Sequence, residues 1–321
     1  MRGAAILLAS LTLTTAVPSA TVQPQAQPQV DALIGDTIGL DHVLIWAKDR
    51  AVAEAFLTKT LGFQLGPAGS YGQGIRHNII RFANRSFIEF LWLSDPVAAK
   101  KDAPWASDFV SKHNGSNAFG IQVASIDAAH KLLAAAGLRP DEPMSEALDP
   151  DGPEGPKPPV VNEWRFMFLA EGAAPGEPFF VEYKRKNPPE APPAHPNGAL
   201  QLQSVWIAVA DLKAATNTYA KAGLRPWRRV SIRRLNASGV ALQTGAGEIV
   251  LLTPNGVGPL AQQMKRRGDH VVGMGVRVKD AGATRAFFQK ALGRQRLWQS
   301  GDQSVVIDAT RELGVYIEFQ E

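Results

Sequence analysis

The stretch LDHVLIWAKDRAVAEAFLTKTLGFQL, residues 40–65, decides the fold. It opens on a short apolar run with strand character, broken only by Asp41 and His42. Asp49 follows, a residue type that favours a helix N-cap because its carboxylate accepts from the free N–H groups of the first turn. An Ala-rich amphipathic segment comes next and stops at Gly62, the residue type that most easily takes the left-handed conformation closing a helix.

The same grammar recurs three times, at 117–140, 201–227 and 271–298. Each copy has an apolar strand, a cap Asp (Asp127, Asp211, Asp280), an amphipathic helix and a closing Gly (Gly137, Gly223, Gly293), with ten to thirteen residues from Asp to Gly. Strand-like runs then follow, and three of the four copies finish on an apolar strand with an embedded acid: FIEFLWL (87–93), FFVEYKR (179–185) and VYIEFQ (315–320). The third finishes on the fully apolar core of EIVLLTP (248–254). An internal period of this kind marks a repeated supersecondary unit. The unit reads as strand, helix, three strands (βαβββ), and the second copy is lengthened by a Pro-rich insertion at 141–161, hence a loop.

The predicted fold class is therefore α+β: four βαβββ modules forming two curved mixed-sheet domains with helices on the convex faces. The segment KRKNPPEAPPAHPNGA (184–199) has the prolines of a linker. The boundaries read as an N-terminal domain over 38–186, a linker over 187–200 and a C-terminal domain over 201–321.

Residues 1–20, MRGAAILLASLTLTTAVPSA, place a basic residue before a short apolar run and small residues at its end. That is the layout of a secretory signal peptide, and residues 21–37 read as a disordered Pro/Gln tether. The predicted product is secreted, periplasmic in a bacterium, without a membrane span. The 321 residues contain no cysteine, which excludes a disulfide framework and thiolate metal sites and leaves imidazole and carboxylate as ligands. A net charge of +4, scattered along the chain, argues against a nucleic-acid partner, which needs a basic stripe for phosphates to follow. A small-molecule substrate and a monomer or homodimer are the expected partners.

The phrases LDHVLIWAKD (40–49), GIRHNIIRF (74–82), FIEFL (87–91), EPFFVEY (177–183) and HPNGALQL (195–202) resemble the vicinal oxygen chelate superfamily, and within it the glyoxalase-like domain proteins. Metal-using members of that superfamily take their ligands from the first and last strands of paired modules, on the concave side of the sheet. The resemblance carries over His42, Glu89 and Glu182 as metal ligands. It implies a divalent cofactor, Zn, Mn, Fe or Ni, which neutral imidazole and carboxylate oxygens all suit. The fourth position is Gly120, a departure from the usual set, and Gln122 lies two residues on, on the same strand face. Asn78, Gln122, Trp164 and Arg165 are the candidate substrate-binding residues.

Two readings stand open for His42: a satisfied core histidine, or a ligand. Glu89 speaks for the second, because both faces of its strand are apolar and a carboxylate there is costly to bury without a cation. Lys184 offers Glu182 a neutralising partner instead. Of the remaining histidines, His270 is offset by ten residues from Asp280 where His42 is seven from Asp49, and reads as a coincidence; His77, His113, His130 and His195 read as exposed or solvated. The function implied is an exported metal-dependent enzyme of lyase or isomerase type acting on a small oxygenated molecule, with Glu89 or Glu182 as a candidate base. Its rival is a metal-free protein that sequesters a small molecule in the same cup.

Overall fold

The computed structural model describes residues 33–145, 164–184, 194–292, 296–298 and 303–321. Residues 1–20, read as a signal peptide, most of 21–37, read as a tether, and most of the 141–161 insertion lie outside the described residues, as does Gly293. Leu33 and Ile34, at the end of the stretch read as a tether, are buried in the core.

The first half contributes β1 (Leu40–Trp46), α1 (Arg50–Ala55) prolonged by a π-turn (Phe56–Thr60), β2 (Gly69–Gly72), β3 (Ile75–Arg81) and β4 (Phe87–Leu93). Two short helices follow, α2 (Pro96–Asp102) and α3 (Pro104–Lys112), and then β5 (Phe119–Gln122), α4 (Ile126–Ala135), β6 (Trp164–Met167) and β7 (Pro178–Tyr183). Its sheet runs β2-β3-β4-β1-β5-β7-β6. The first and last strands of each module pair in parallel, and the two first strands, β1 and β5, meet antiparallel at the centre. In the second module the strand after α4 is reduced to the bridges Pro140–Leu169 and Met144–Phe166 among the described residues.

The second half repeats the plan with β8 (Ala199–Ala208), α5 (Leu212–Lys221), β9 (Pro226–Ile232), β10 (Ala237–Thr244), β11 (Gly247–Pro254), α6 (Pro259–Arg267), β12 (His270–Val278), α7 (Ala281–Leu292), β13 (Leu297–Trp298), β14 (Ser304–Ala309) and β15 (Val315–Gln320). Its sheet order is β13-β14-β15-β12-β8-β11-β10-β9. Two curved mixed sheets built from four related modules confirm the fold class.

The helix starts follow the cap chemistry in three modules. Asp49, Asp211 and Asp280 each accept a hydrogen bond from a first-turn N–H. In the second module the cap is Ser125, accepting from Ala128 N, and Asp127 sits inside the first turn of α4; a Ser two residues upstream satisfies the same orphan donors.

One apolar cluster runs through both halves, joining Val43, Ile45, Ile88 and Phe90 of the first sheet with Val205, Ile207, Leu251 and Ile317 of the second. The halves thus share a core. His195, read as solvated, is buried at the junction: Gln64 N donates to its Nδ1 (3.0 Å), its Nε2 donates to Arg81 O (2.9 Å), and Phe63 and Phe82 pack edge-on to its ring.

The concave faces differ. On the second sheet Trp206, Val250, Leu252, Val272 and Tyr316 pack with Leu260 of α6 into an apolar cluster of their own. On the first sheet α3 covers only one end, where Ala106 and Val110 meet Trp46, Ile75 and Leu91. The rest of that face carries the polar groups.

Candidate functional site

A bulge in β1 creates the centre of the site. Leu40 stands opposite Ile121 and His42 opposite Gly120, so Asp41 is an extra residue on β1. Because Leu40 and Val43 both enter the shared core, Asp41 and His42 turn together to the concave side, which regular alternation forbids. His42 Nδ1 lies 2.6 Å from Asp41 Oδ2, and the Tyr183 hydroxyl donates to the same oxygen at 3.0 Å. The His42 ring stacks on Phe87 at 4.1 Å and meets the edge of Phe179 at 5.0 Å. Gly120 leaves room for it: a Cβ there would lie 2.7 Å from two imidazole atoms.

Glu89 sits one pleat along β4 from Phe87 and is 3% exposed, which decides that its charge needs partners. Tyr71 donates its hydroxyl to Oε1 at 2.5 Å, and His77 Nδ1 approaches the same oxygen at 3.1 Å, within reach but off line for a hydrogen bond. The other oxygen, Oε2, faces His42 Nε2 across 3.8 Å. Burial pushes the Glu89 carboxyl up, but the His77 contact, the charges of His42 and His77 and the Tyr71 hydroxyl outweigh it and hold the pKa below the usual carboxylate value. Tyr183 is the reverse case: burial of its hydroxyl and the Asp41 charge raise its pKa well above the usual phenol.

The structure therefore unites His42 and Glu89 and adds Asp41, Tyr71, His77 and Tyr183. Gln122 shares the concave face with Gly120, and Trp164 lines the far wall, stacked on Phe166 at 5.1 Å. Three candidates turn away from the cup. Glu182 alternates with Val181 onto the helix side, where Oε2 accepts from Ile126 N at 3.1 Å and Oε1 lies 2.9 Å from Lys184 Nζ; it caps α4. Arg165, its cross-strand partner, clamps Asp127 with two bonds of 2.9 and 3.0 Å. Asn78 stands opposite Phe90 on the same core-facing side and donates to Gly66 O at 2.8 Å, holding the approach to β2. His77, the neighbour read as exposed, takes the place in the cup.

For a divalent ion, the donor set fits at two points. His42 is oriented as metal-ligating histidines are, with one ring nitrogen committed to a carboxylate and the other presented inward. Nε2 and Glu89 Oε2 face one another with no hydrogen bond between them. The His42, Glu89 and Glu182 set expected from the resemblance is not assembled, since Glu182 lies behind the sheet. Among the described residues no three acid, imidazole or thiol groups are placed to hold an ion.

A fold of paired βαβββ modules with its polar cup on the first-strand histidine and last-strand glutamate defines a vicinal oxygen chelate protein. The profile described as a glyoxalase-like domain matches residues 40–223, more than half of the chain, and the protein belongs to that family. Among solved structures it is similar to a mutant of 4-hydroxymandelate synthase from Streptomyces coelicolor, with TM-score 0.59 and 13% identity over 88% of this chain and 92% of that one. A hypothetical protein from Staphylococcus aureus gives TM-score 0.54 and 11% identity over 88% and 98%. BphC, a halotolerant catechol dioxygenase, gives 0.54 and 13% over 88% and 86%. At these identities the likeness is one of fold. A comparison with curated proteins found no significant match.

Proposed function

We propose that this protein is an exported enzyme of the vicinal oxygen chelate class that binds a small oxygenated molecule in the N-terminal cup and moves a proton on it, as a lyase or isomerase does. The observation that carries the reading is the buried Glu89 carboxylate facing His42 Nε2 across an unbridged 3.8 Å. A divalent ion held by His42 Nε2 and Glu89 Oε2 would act as a Lewis acid on the substrate oxygens. The chain's own groups have separate tasks. Asp41 accepts a hydrogen bond from Nδ1–H of His42 and so turns the Nε2 lone pair inward. Tyr71 fixes the Glu89 carboxylate and, with the histidines, keeps it ionised, which makes it a good anionic ligand and a poor base. His77 Nδ1, buried and 3.1 Å from Glu89 Oε1, is reached by a substrate proton only through that carboxylate oxygen, so the Glu89–His77 pair accepts the proton and returns it as a unit. Phe87 and Phe179 keep water from the imidazole. Glu182, behind the sheet, has no part in this chemistry.

Metal content and metal titration of the purified protein test the reading. Near-stoichiometric binding is expected, lost in His42→Ala and Glu89→Gln and kept in Glu182→Gln. Less than about a tenth of an equivalent bound under titration at neutral pH overturns it. The same result would favour metal-free sequestration, a reading that draws on the missing third ligand among the described residues. N-terminal sequencing of the exported protein tests the signal segment. No helix among the described residues is long and apolar enough to cross a membrane.

A further inference from the structure

The concave face beyond His42 is walled by aromatic side chains, of which Phe166 and Phe179 are buried while Phe168 and Tyr183 stand partly open. Rings run in contact along it: Trp164 to Phe166 at 5.1 Å, Phe166 to Phe168 at 5.6 Å, Phe168 to Phe179 at 5.3 Å and Phe179 to His42 at 5.0 Å, with Phe87 stacked on the far side of the imidazole at 4.1 Å. Neither Trp164, Phe166, Phe168, Phe179, Phe87 nor Tyr183 belongs to any of the three apolar clusters that hold the fold together. Phe168 is 40% exposed and Tyr183 38%, so apolar ring surface stands open next to a polar site. Open ring surface beside polar groups is what a planar aromatic ligand can stack on.

A cation stands at the same end of the face. Arg81 is the strand partner of Phe87 and shares its side of the sheet. Its carbonyl is held by His195 Nε2, which fixes the backbone from which the side chain projects. The guanidinium is exposed, no carboxylate among the described residues pairs with it, and its charge is felt by the Tyr183 phenol. The planar guanidinium fork suits a carboxylate.

We infer that the substrate of this cup is an aromatic carboxylate: a planar ring laid against Phe168 and the open face of Tyr183, its carboxylate drawn to Arg81 and its reacting carbon presented to the concave side of the His42–Glu89 pair rather than between them. This deepens the function proposed above and rests on it for the chemistry at Glu89, whereas the binding contacts are independent of any ion. Stacking on the wall discriminates ring from aliphatic chain, because offset and edge-on ring pairs gain attraction beyond area burial. The Arg81 contact discriminates acid from neutral ring.

Calorimetric titration of the full protein with benzoate, cyclohexanecarboxylate and benzyl alcohol tests the assignment. Benzoate is expected to bind several-fold more tightly than cyclohexanecarboxylate and about tenfold more tightly than benzyl alcohol. Arg81→Ala should weaken benzoate about tenfold and leave benzyl alcohol unchanged. Phe168→Leu, at an exposed site outside the core clusters, should weaken benzoate while sparing the fold. Equal binding of benzoate and cyclohexanecarboxylate, an unaltered benzoate affinity in Arg81→Ala, or no binding by any of the three overturns the assignment. Metal retention in Arg81→Ala separates the two claims. Retained metal with failed benzoate binding sinks the substrate class alone, while benzoate binding without metal sinks the Lewis-acid reading and leaves the substrate class standing.

Discussion

Replacing Gly120 with alanine puts a single methyl group where the site has no room for one. The added Cβ would lie 2.7 Å from both Cε1 and Nδ1 of His42 and 3.3 Å from Phe179 Cζ, whereas carbon contacts settle near 3.5 to 4.0 Å, so the ring must retreat by roughly 1 Å. It has nowhere to go: Phe87 is stacked on its other face at 4.1 Å, and Nδ1 is held 2.6 Å from Asp41. Overpacking of this kind costs about 1–3 kcal/mol. If the ring swings out instead, the buried Asp41 carboxylate loses a hydrogen bond to a polar ring, worth about 1.5–3 kcal/mol. Either route predicts a loss of about 1–3 kcal/mol, read by urea unfolding, together with a changed His42 imidazole signal in nitrogen NMR spectra and weakened metal retention. A variant within about 0.5 kcal/mol of the parent, with an unchanged imidazole spectrum, would refute the claim that Gly120 exists to seat His42.

Three further outcomes follow. Tyr71→Phe removes the 2.5 Å hydrogen bond to Glu89, so the Glu89 pKa should rise. The stability that this ionised carboxylate contributes, present above its unfolded pKa and lost as pH falls through its folded one, should then disappear at a higher pH in acid unfolding profiles. Glu182→Gln should cost about 0.5–1.5 kcal/mol through the α4 cap and leave metal and benzoate binding as they were; a selective loss of metal would return Glu182 to the site. His270 is buried, with its pKa lowered to about 4 by burial, then by the Arg267 charge. The unfolded chain takes up this proton from about pH 6.5 downward and the folded chain only near 4, so stability falls with pH across that window. The difference of about 2.5 pK units corresponds to roughly 3 kcal/mol. The stability difference between parent and His270→Gln should narrow by that amount from pH 7.5 to 4, and a flat difference would refute it.

What was legible in the sequence was whatever depended on local periodicity. The strand-helix-strand repeat, its cap residues and its closing glycines come from short-range chemistry. The placement of His42 opposite Gly120 emerged from the same repeat. The second module shows the limit, for Asp127 aligned with the other caps yet Ser125 does the capping, two residues away in an equally suitable position.

Faces were harder. Asn78 and His77 had to lie on opposite sides of β3, but which one entered the cup depended on the register with β4. The turn after Arg81 sets Ile79 opposite Glu89, which brings His77 in and sends Asn78 to the core side; a slip of one residue there would exchange them. Glu182 failed for a related reason. An acid in an apolar strand reads the same whether it faces a cup or the N-terminus of a helix, and only the packing of α4 against β7 shows that its carboxylate takes a backbone N–H.

By itself, then, the sequence determined four modules and two sheets, because alternation, capping and glycine chemistry are written within each module, while the pairing of His42 with Glu89 was what the family resemblance implied. Only the tertiary structure decided what surrounds that pair. A bulge in β1 turns Asp41 beside His42, and strand register delivers Tyr71 and His77 to Glu89. A pairing across 142 positions of chain joins Tyr183 to Asp41. Such contacts arise from how strands meet across the sheet, and no run of neighbouring residues encodes them.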